Sequence, residues 1–300
     1  MAKISLRETI RQIMAEHLNK NNGLLFGECV SDPSGVAGTI PENKNVIDLP
    51  MTELGGADIA VGSALAGRRP IFVVRFQDFM LMNGSPFIFF AAVVKEMHNL
   101  TAPVFIRALA NDHFDATHSN VLHSLFMHFS GIKVAAPCTP EEYWQVWKSF
   151  LSDDVPYYIS EFRDTFDNTE EMEDITVADA DINIWGISIC RQRIFDAIKI
   201  LNKFGIKANI FNIVWLKPFD VEKYLPYLKA VPRGLVVDSG REICGACEAF
   251  AYRLMKLLPG AYVDVLGVKD KIKTTNPNCY NEIPTVEMII SKVQKLLSSE

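Results

Sequence analysis

Glu53 stands four residues after a strand-like stretch at 45–49. It opens a run, residues 54–67, in which Asp58 and Ser63 are the only polar side chains. A carboxyl at a strand-to-helix turn, backed by small residues that let another surface come close, is expected to be poorly solvated, with a pKa above its ordinary value. A buried general acid/base needs that condition. The helix dipole also favours an acidic residue in a first turn, so position by itself leaves both readings open. The histidines are the second candidate set. Five of the six fall between 98 and 128, and His113, His118, His123 and His128 stand five apart. Five residues turn a helix by about 500°, so successive ones point roughly 140° apart and do not converge on one ion. His113 and His118 fall in a loop after a strand, residues 111–120, where open α/β sheets place their active sites. His123 and His128 are expected on the following helix as packed or surface residues. A third element is Arg75-Phe76-Gln77-Asp78-Phe79-Met80, just past a strand that ends at Val74. Phe76 reads as core, and Phe79 as a platform on which a planar heterocycle could stack.

Two other motifs carry less. Cys244-Gly245-Ala246-Cys247 has redox or zinc spacing, but no second ligand pair completes a zinc motif, and the pair reads as structural. Neither GxGxxG nor GxxxxGK[ST] occurs, so the chain carries no sequence-recognisable phosphate cradle.

The elements that must position these residues alternate. An amphipathic helix at 4–20 leads to a strand at 24–26 that ends in Gly27-Glu28, a loop at 31–41 and the strand before Glu53. A helix at 55–67, a strand at 71–74, a helix through 87–96 and a strand at 104–106 follow. After the histidine loop come a helix at 120–128, a strand at 132–135, a helix opened by Thr139-Pro140-Glu141-Glu142 and a strand at 157–159. The stretch 165–180 is acidic and aperiodic and reads as a linker. Alternation then resumes: strands at 182–187, 206–213, 234–237 and 261–266, and helices at 193–204, 220–229, 246–258 and 285–297. Short apolar strands between helices mean parallel βαβ units and sheets covered on both faces, hence two three-layer α/β/α domains, residues 1–175 and 176–300.

With 300 residues, 49% hydrophobic and 22% charged, the chain can bury a sizeable core. The net charge of −6 and the lack of a Lys/Arg cluster exclude a nucleic-acid footprint. The start is charged and amphipathic, and the longest apolar run, 86–94, is too short to span a bilayer, so a cytoplasmic protein with free thiols is expected.

Taken together, these segments resemble the β-subunit of the thiamine-diphosphate-dependent 2-oxo acid dehydrogenases and, more broadly, the pyrimidine-binding plus C-terminal domains of the transketolase superfamily. The resemblance runs over nearly the whole chain. It is carried by Leu24-Leu25-Phe26-Gly27-Glu28, by residues 47–70, by the aromatic segment 76–79, by Thr117-His118-Ser119 and by residues 131–141. In the second half it is carried by Trp215-Leu216-Lys217-Pro218-Phe219-Asp220 and Val236-Val237-Asp238-Ser239-Gly240.

The resemblance implies roles. Glu53 would hydrogen-bond the aminopyrimidine ring nitrogen and promote the imino form, which deprotonates the thiazolium. Phe79 would stack on the pyrimidine, His118 would face the reacting carbon as an acid/base group, and Glu28 would lie near the cofactor. Thiamine diphosphate would sit between two chains, with its diphosphate and Mg held by an α-subunit, in an assembly of two α and two β chains. The small-residue helix after Glu53 would pack at a subunit interface. The implied reaction is decarboxylation of a 2-oxo acid through a cofactor-bound carbanion/enamine, with a lipoyl acyltransferase as a further partner. The segment Phe114-Asp115-Ala116-Thr117-His118 is also similar to the Asp-Gly-Pro-Thr-His loop of transketolases. It keeps open the alternative of the C-terminal half of a split transketolase that moves a two-carbon ketol unit between sugars.

Overall fold

A computed structural model describes residues 3–20, 23–31, 36–111, 118–271 and 283–298. They fall into two compact units that divide between Glu171 and Met172.

The first unit is built around parallel strands in the order β2-β1-β3-β4-β6-β5: β1 (Gly23–Glu28), β2 (Val46–Leu49), β3 (Arg69–Val74), β4 (Phe105–Ala110), β5 (Lys133–Ala135) and β6 (Tyr157–Phe162). Every residue of β4 and β6 is buried, as expected for central strands covered on both faces. Helix α1 (Leu6–Lys20) buries Leu6, Ile10, Ile13, Met14 and Leu18, spaced three and four apart, and packs against α6 (Pro140–Leu151). Helix α6 starts as its sequence demands: Thr139 Oγ1 accepts from the Glu142 amide, and Pro140 occupies the first helical position. Helix α2 (Glu53–Leu65) packs on α3 (Met80–Pro86). Gly27 has no room for a side chain, because a Cβ there would lie 2.7 Å from the Val73 carbonyl oxygen, so the end of β1 runs flush against β3.

The helix expected from residue 87 starts ten residues earlier. A 3₁₀ turn over Gln77–Phe79 runs directly into α3, a π-turn over Phe87–Ala91, and α4 (Val94–His98). A wide π-turn after Pro86, closed by the Ala92 amide on the Phe87 carbonyl at 2.9 Å, carries the stretch past the proline. The stretch Gln77–His98, with a mean hydropathy of 1.2, is the one helix among the described residues long and apolar enough to cross a membrane, and half of it is buried. The helix expected at 120–128 shrinks to α5 (His123–Met127), because residues 118–122 are taken up by contacts described below.

The second unit has parallel strands in the order β11-β10-β7-β8: β7 (Ile182–Ile187), β8 (Ala208–Ile213), β10 (Arg233–Arg241) and β11 (Tyr262–Val268), with the short strand β9 (Trp215–Lys217) after β8. Helices α7 (Cys190–Leu201) and α10 (Val286–Ser298) cover one core of Ile184, Ile194, Leu235, Val237, Ile289 and Val293. Helices α8 (Leu225–Ala230) and α9 (Ala246–Leu257) complete it. Within 165–180, Ile175 bridges antiparallel to Ile210, so this stretch is tied to the second sheet rather than being wholly linker.

One buried ion pair ties the first sheet together. The Arg107 guanidinium on β4 grips the Glu161 carboxylate on β6 at 2.7 and 2.8 Å, and both are sealed from solvent. The Tyr143 hydroxyl donates to Glu161 at 2.6 Å, and Arg107 also donates to Thr39 Oγ1 at 2.9 Å. Removing one partner leaves a buried charge, so Glu161→Ala is expected to cost about 3–5 kcal/mol. The first denaturation transition of the full chain measures this. Replacing the pair together, Arg107→Met with Glu161→Leu, is expected to recover most of the loss.

Candidate active site

In a parallel sheet all strands deliver their C-terminal ends to the same edge. Four neighbours, β2-β1-β3-β4, bring the chemistry-bearing residues there. Glu28 is the last residue of β1 and pairs with Leu49, the last residue of β2. A three-residue turn separates Leu49 from Glu53, the first residue of α2. Strand β3 runs out at Val74 into Phe76 and Phe79, and His118 is the first described residue after Asn111, which follows β4. His113 lies outside the described residues.

The Glu28 carboxyl is held by the backbone just before Glu53. The Thr52 amide donates to Glu28 Oε1 at 2.9 Å, at the start of α2. Burial pushes the Glu28 carboxyl above its ordinary value. The Thr52 hydrogen bond pulls the other way, and the nearby Glu53 carboxylate adds to the rise. Glu53 is half-buried, not buried as expected, since Met51 and Leu54 on its open side are themselves exposed. The Asp48 carboxylate fixes the segment after Glu28 by accepting from the Val30 and Ser31 amides at 3.2 and 3.1 Å.

Phe76 is not core. Its ring and that of Phe79 stand 6.0 Å apart, and the His118 imidazole meets both edge-to-face, at 4.5 Å from Phe76 and 5.5 Å from Phe79. The 3₁₀ turn carrying Phe79 also holds the histidine loop. Asp78 accepts from the Asn120 side-chain amide and, at 3.2 Å, from its backbone amide. The fully buried Gln77 accepts from the Leu122 amide at 2.7 Å and from the Tyr158 hydroxyl at 3.0 Å. It donates to the Ala108 carbonyl at 3.1 Å and to Ser160 Oγ at 2.9 Å. All four hydrogen-bonding positions of that amide are filled, which makes it a rigid post between β3, β4, β6 and the loop. His123 is buried against Ser160 Oγ at 3.1 Å and His128 is exposed.

These groups surround a cavity of about 210 Å³. Phe72, Val74, Phe76, Phe79 and Met51 give it apolar walls, and Glu28, Asn83 and His118 supply its polar groups. Arg75 lines it as well, and Arg163, whose guanidinium lies 5.2 Å from the Phe76 centroid, donates to the Arg75 carbonyl at 3.3 Å. Burial and the Arg75 charge pull the Arg163 pKa down. Phe76, Arg75 and Asn83 were not singled out as site residues from the sequence; spacing 76-79-83 on a helix that begins at 77 was the available signal. The arrangement suits binding of a planar, nitrogen-bearing ring against aromatic walls, with the Glu28 carboxyl and the His118 imidazole in the same lining; Glu53 adjoins Glu28 but does not line the cavity.

In the second unit Cys244 is exposed and Cys247 is buried at the start of α9, and burial pushes the Cys247 thiol well up. No group of three or more His, Cys, Asp and Glu that could hold a metal occurs among the described residues.

Comparison with known proteins agrees with the geometry. The transketolase pyrimidine-binding domain matches residues 2–167, and the transketolase C-terminal domain matches 174–283. The β-subunit of the pyruvate dehydrogenase E1 component of Rickettsia felis is 28% identical, with 85% of each chain covered. The β-subunit of the acetoin:2,6-dichlorophenolindophenol oxidoreductase of Cupriavidus necator is 29% identical, with 86% of each chain covered. A solved split-gene transketolase, described as an inactive β4 tetramer, superposes with a TM-score of 0.77 over 99% of both chains at 18% identity, a likeness of fold.

Two outcomes check the site's geometry. The Glu28 carboxyl is expected to titrate above the ordinary glutamate range, and Glu53→Gln is expected to lower its midpoint by removing a like charge. Carboxyl-labelled NMR or difference infrared titration reads both. Asp78→Ala is expected to raise the rate of diethylpyrocarbonate modification at His118 several-fold while buried His123 stays unmodified, as read by mass spectrometry.

Proposed function

Because the chain belongs to the family defined by the transketolase pyrimidine-binding domain, we propose that it is the β-subunit of a two-subunit thiamine-diphosphate-dependent enzyme that decarboxylates a 2-oxo acid. The observation that carries this reading is the cavity at the β2-β1-β3-β4 edge, where the Glu28 carboxyl, the Phe76 and Phe79 rings and the His118 imidazole converge, with Glu53 adjoining Glu28 outside the lining. The relatives named as pyruvate dehydrogenase and acetoin oxidoreductase β-subunits support the 2-oxo acid class.

The residues present fit the pyrimidine half of the cofactor. Phe79, backed by Phe76, offers a flat apolar face, and the adjoining carboxyls Glu28 and Glu53 offer partners for a basic ring nitrogen. Bound thiamine diphosphate supplies a carbon nucleophile and an electron sink for cleaving the bond beside a carbonyl. Glu53 holds and exchanges a proton at the ring nitrogen. Glu28, whose carboxyl pKa is pushed above its ordinary value by burial and by the charge of Glu53, lies beside it at the end of β1. His118, braced by two rings and by the Asp78 clamp, gives or takes a proton at the substrate oxygen.

An α-subunit that holds the diphosphate and Mg completes the site in this reading. In support, the surface beside Glu53 is built to be covered. Leu54 and Ile59 on α2 are 52% and 50% exposed, and Leu81, Phe89 and Met97 on the adjoining helical stretch are 69%, 66% and 67% exposed. Monomeric proteins seldom expose such contiguous apolar area. A side chain added at Gly62 on α2 would meet nothing in this chain. We take the assembly to be two α and two β chains in the cytoplasm, with a lipoyl acyltransferase as acceptor. By analogy with the split-gene transketolase, whose β4 tetramer is described as inactive, the chain alone is expected to lack turnover.

Glu53→Gln, assayed in the assembled complex, is expected to cut 2-oxo acid decarboxylation by about a hundredfold or more, the scale of lost acid/base catalysis. Unchanged turnover would remove Glu53 from the mechanism.

A further inference from the structure

His123 is buried and takes no part in the reading above. It opens α5 directly after Leu122, and both residues are gripped from the sheet by one pair of side chains. Gln77 Oε1 accepts from the Leu122 amide, and Ser160 Oγ on β6 lies 3.1 Å from His123 Nδ1. Gln77 Nε2 reaches the same Ser160 Oγ at 2.9 Å. These contacts close a ring that runs from Leu122 through Gln77 and Ser160 back to His123. None of its three side chains is more than 2% exposed.

Backbone groups fix which way the protons point. The Leu122 N–H can only donate and the Ala108 carbonyl can only accept, so the Gln77 oxygen faces the loop and its nitrogen faces β4. One Nε2 hydrogen goes to Ala108 and the other to Ser160 Oγ. The Ser160 hydroxyl then has its own proton to give, and His123 Nδ1 stands at 3.1 Å to accept it. A neutral imidazole that accepts at Nδ1 carries its proton on Nε2.

The ring bears on His118 from two sides. Phe76 and Phe79, which meet that imidazole edge-to-face, stand one residue before Gln77 and two after it. Leu122 lies four residues beyond His118, and Asn120 between them is held by Asp78. The aromatic rings and the imidazole they contact therefore hang from the same buried anchor.

We propose that His123 is a positioning residue: by accepting the Ser160 proton it locks Ser160 and Gln77, and through them it holds His118 against Phe76 and Phe79. The proposal rests on the functional reading above for its effect on turnover, and on the hydrogen-bonded ring alone for its effect on His118.

The first test needs no substitution. In the full chain with nitrogen-15-labelled histidine, the NMR shifts of His123 at neutral pH are expected to show a bare Nδ1 and a protonated Nε2. A proton on Nδ1 overturns the proposal. The second test uses variants of the chain assembled with an α-subunit of the same family. His123→Leu is expected to lower kcat about ten- to hundredfold, the scale of a reacting group displaced by up to about an ångström, with KM changed less than about threefold. His123→Asn places an amide oxygen near the Nδ1 position and is expected to recover most of kcat. Ser160→Ala, a smaller change to the core, is expected to lower kcat in the same sense. In the full chain, diethylpyrocarbonate is expected to modify His118 several-fold faster in His123→Leu and Ser160→Ala than in the wild type or His123→Asn. Unchanged kcat and unchanged His118 reactivity in those two variants overturn the proposal. His123→Asn as impaired as His123→Leu overturns it too, because the imidazole then only fills space. A wild-type complex that releases no carbon dioxide from 2-oxo acids contradicts the functional reading, and the His118 modification rates then decide the proposal by themselves.

Discussion

Parallel pairing of β2, β1, β3 and β4 in one register is the constraint from which the site follows. Glu28 sits beside Leu49 because β1 and β2 run the same way and end together, and the turn after Leu49 is short enough to bring Glu53 beside Glu28. Had any of these strands run antiparallel, its outgoing loop would leave from the opposite edge of the sheet. The register depends in turn on a core with no tolerance for slippage: β4 and β6 are buried at every residue, and a one-residue shift would move each side chain to the other face. Gly27 belongs to the same constraint, since only a residue without a side chain lets the β1 end lie against Val73.

On that frame, buried side-chain hydrogen bonds do much of the fixing. Gln77 uses every hydrogen-bonding position it has, and Arg107, Glu161 and Tyr143 form a buried network deep in the sheet. Glu28 on the cavity wall is different, since burial disfavours its charge. Rigid surroundings with polar groups on the wall suit a site prepared for a ligand. The apolar surface of α2 and the adjoining helix continues that logic outward, because the half-buried Glu53 gains a dry environment only when another surface covers Leu54 and its neighbours.

Much of the site was legible because the residues at strand ends announce themselves. Glu28 after Gly27, Glu53 before a small-residue run, Phe79 past Val74 and His118 in the histidine loop all follow from alternation plus family resemblance. The convergence of Glu28, Phe79 and His118 on one cavity needs the strand order, which composition does not encode. Phe76 read as core because it follows four buried strand residues. Asn83 lies outside the helix expected from residue 87, whereas the helical stretch begins at residue 77. The Asp78–Asn120 and Gln77–Leu122 contacts join residues more than forty positions apart, and nothing local marks them. The burial expected of Glu53 is not met in this chain, where the residue is half-buried at the start of α2.

The central claim is that this chain is half of a decarboxylating active site. The most direct measurement assembles it with an α-subunit of the same family from its own source, adds thiamine diphosphate and Mg, and follows products from a panel of 2-oxo acids and ketose phosphates. The account predicts carbon dioxide from a 2-oxo acid in the complex and none from either chain alone. Aldehyde release from a ketose phosphate without carbon dioxide would contradict it and identify a split transketolase instead.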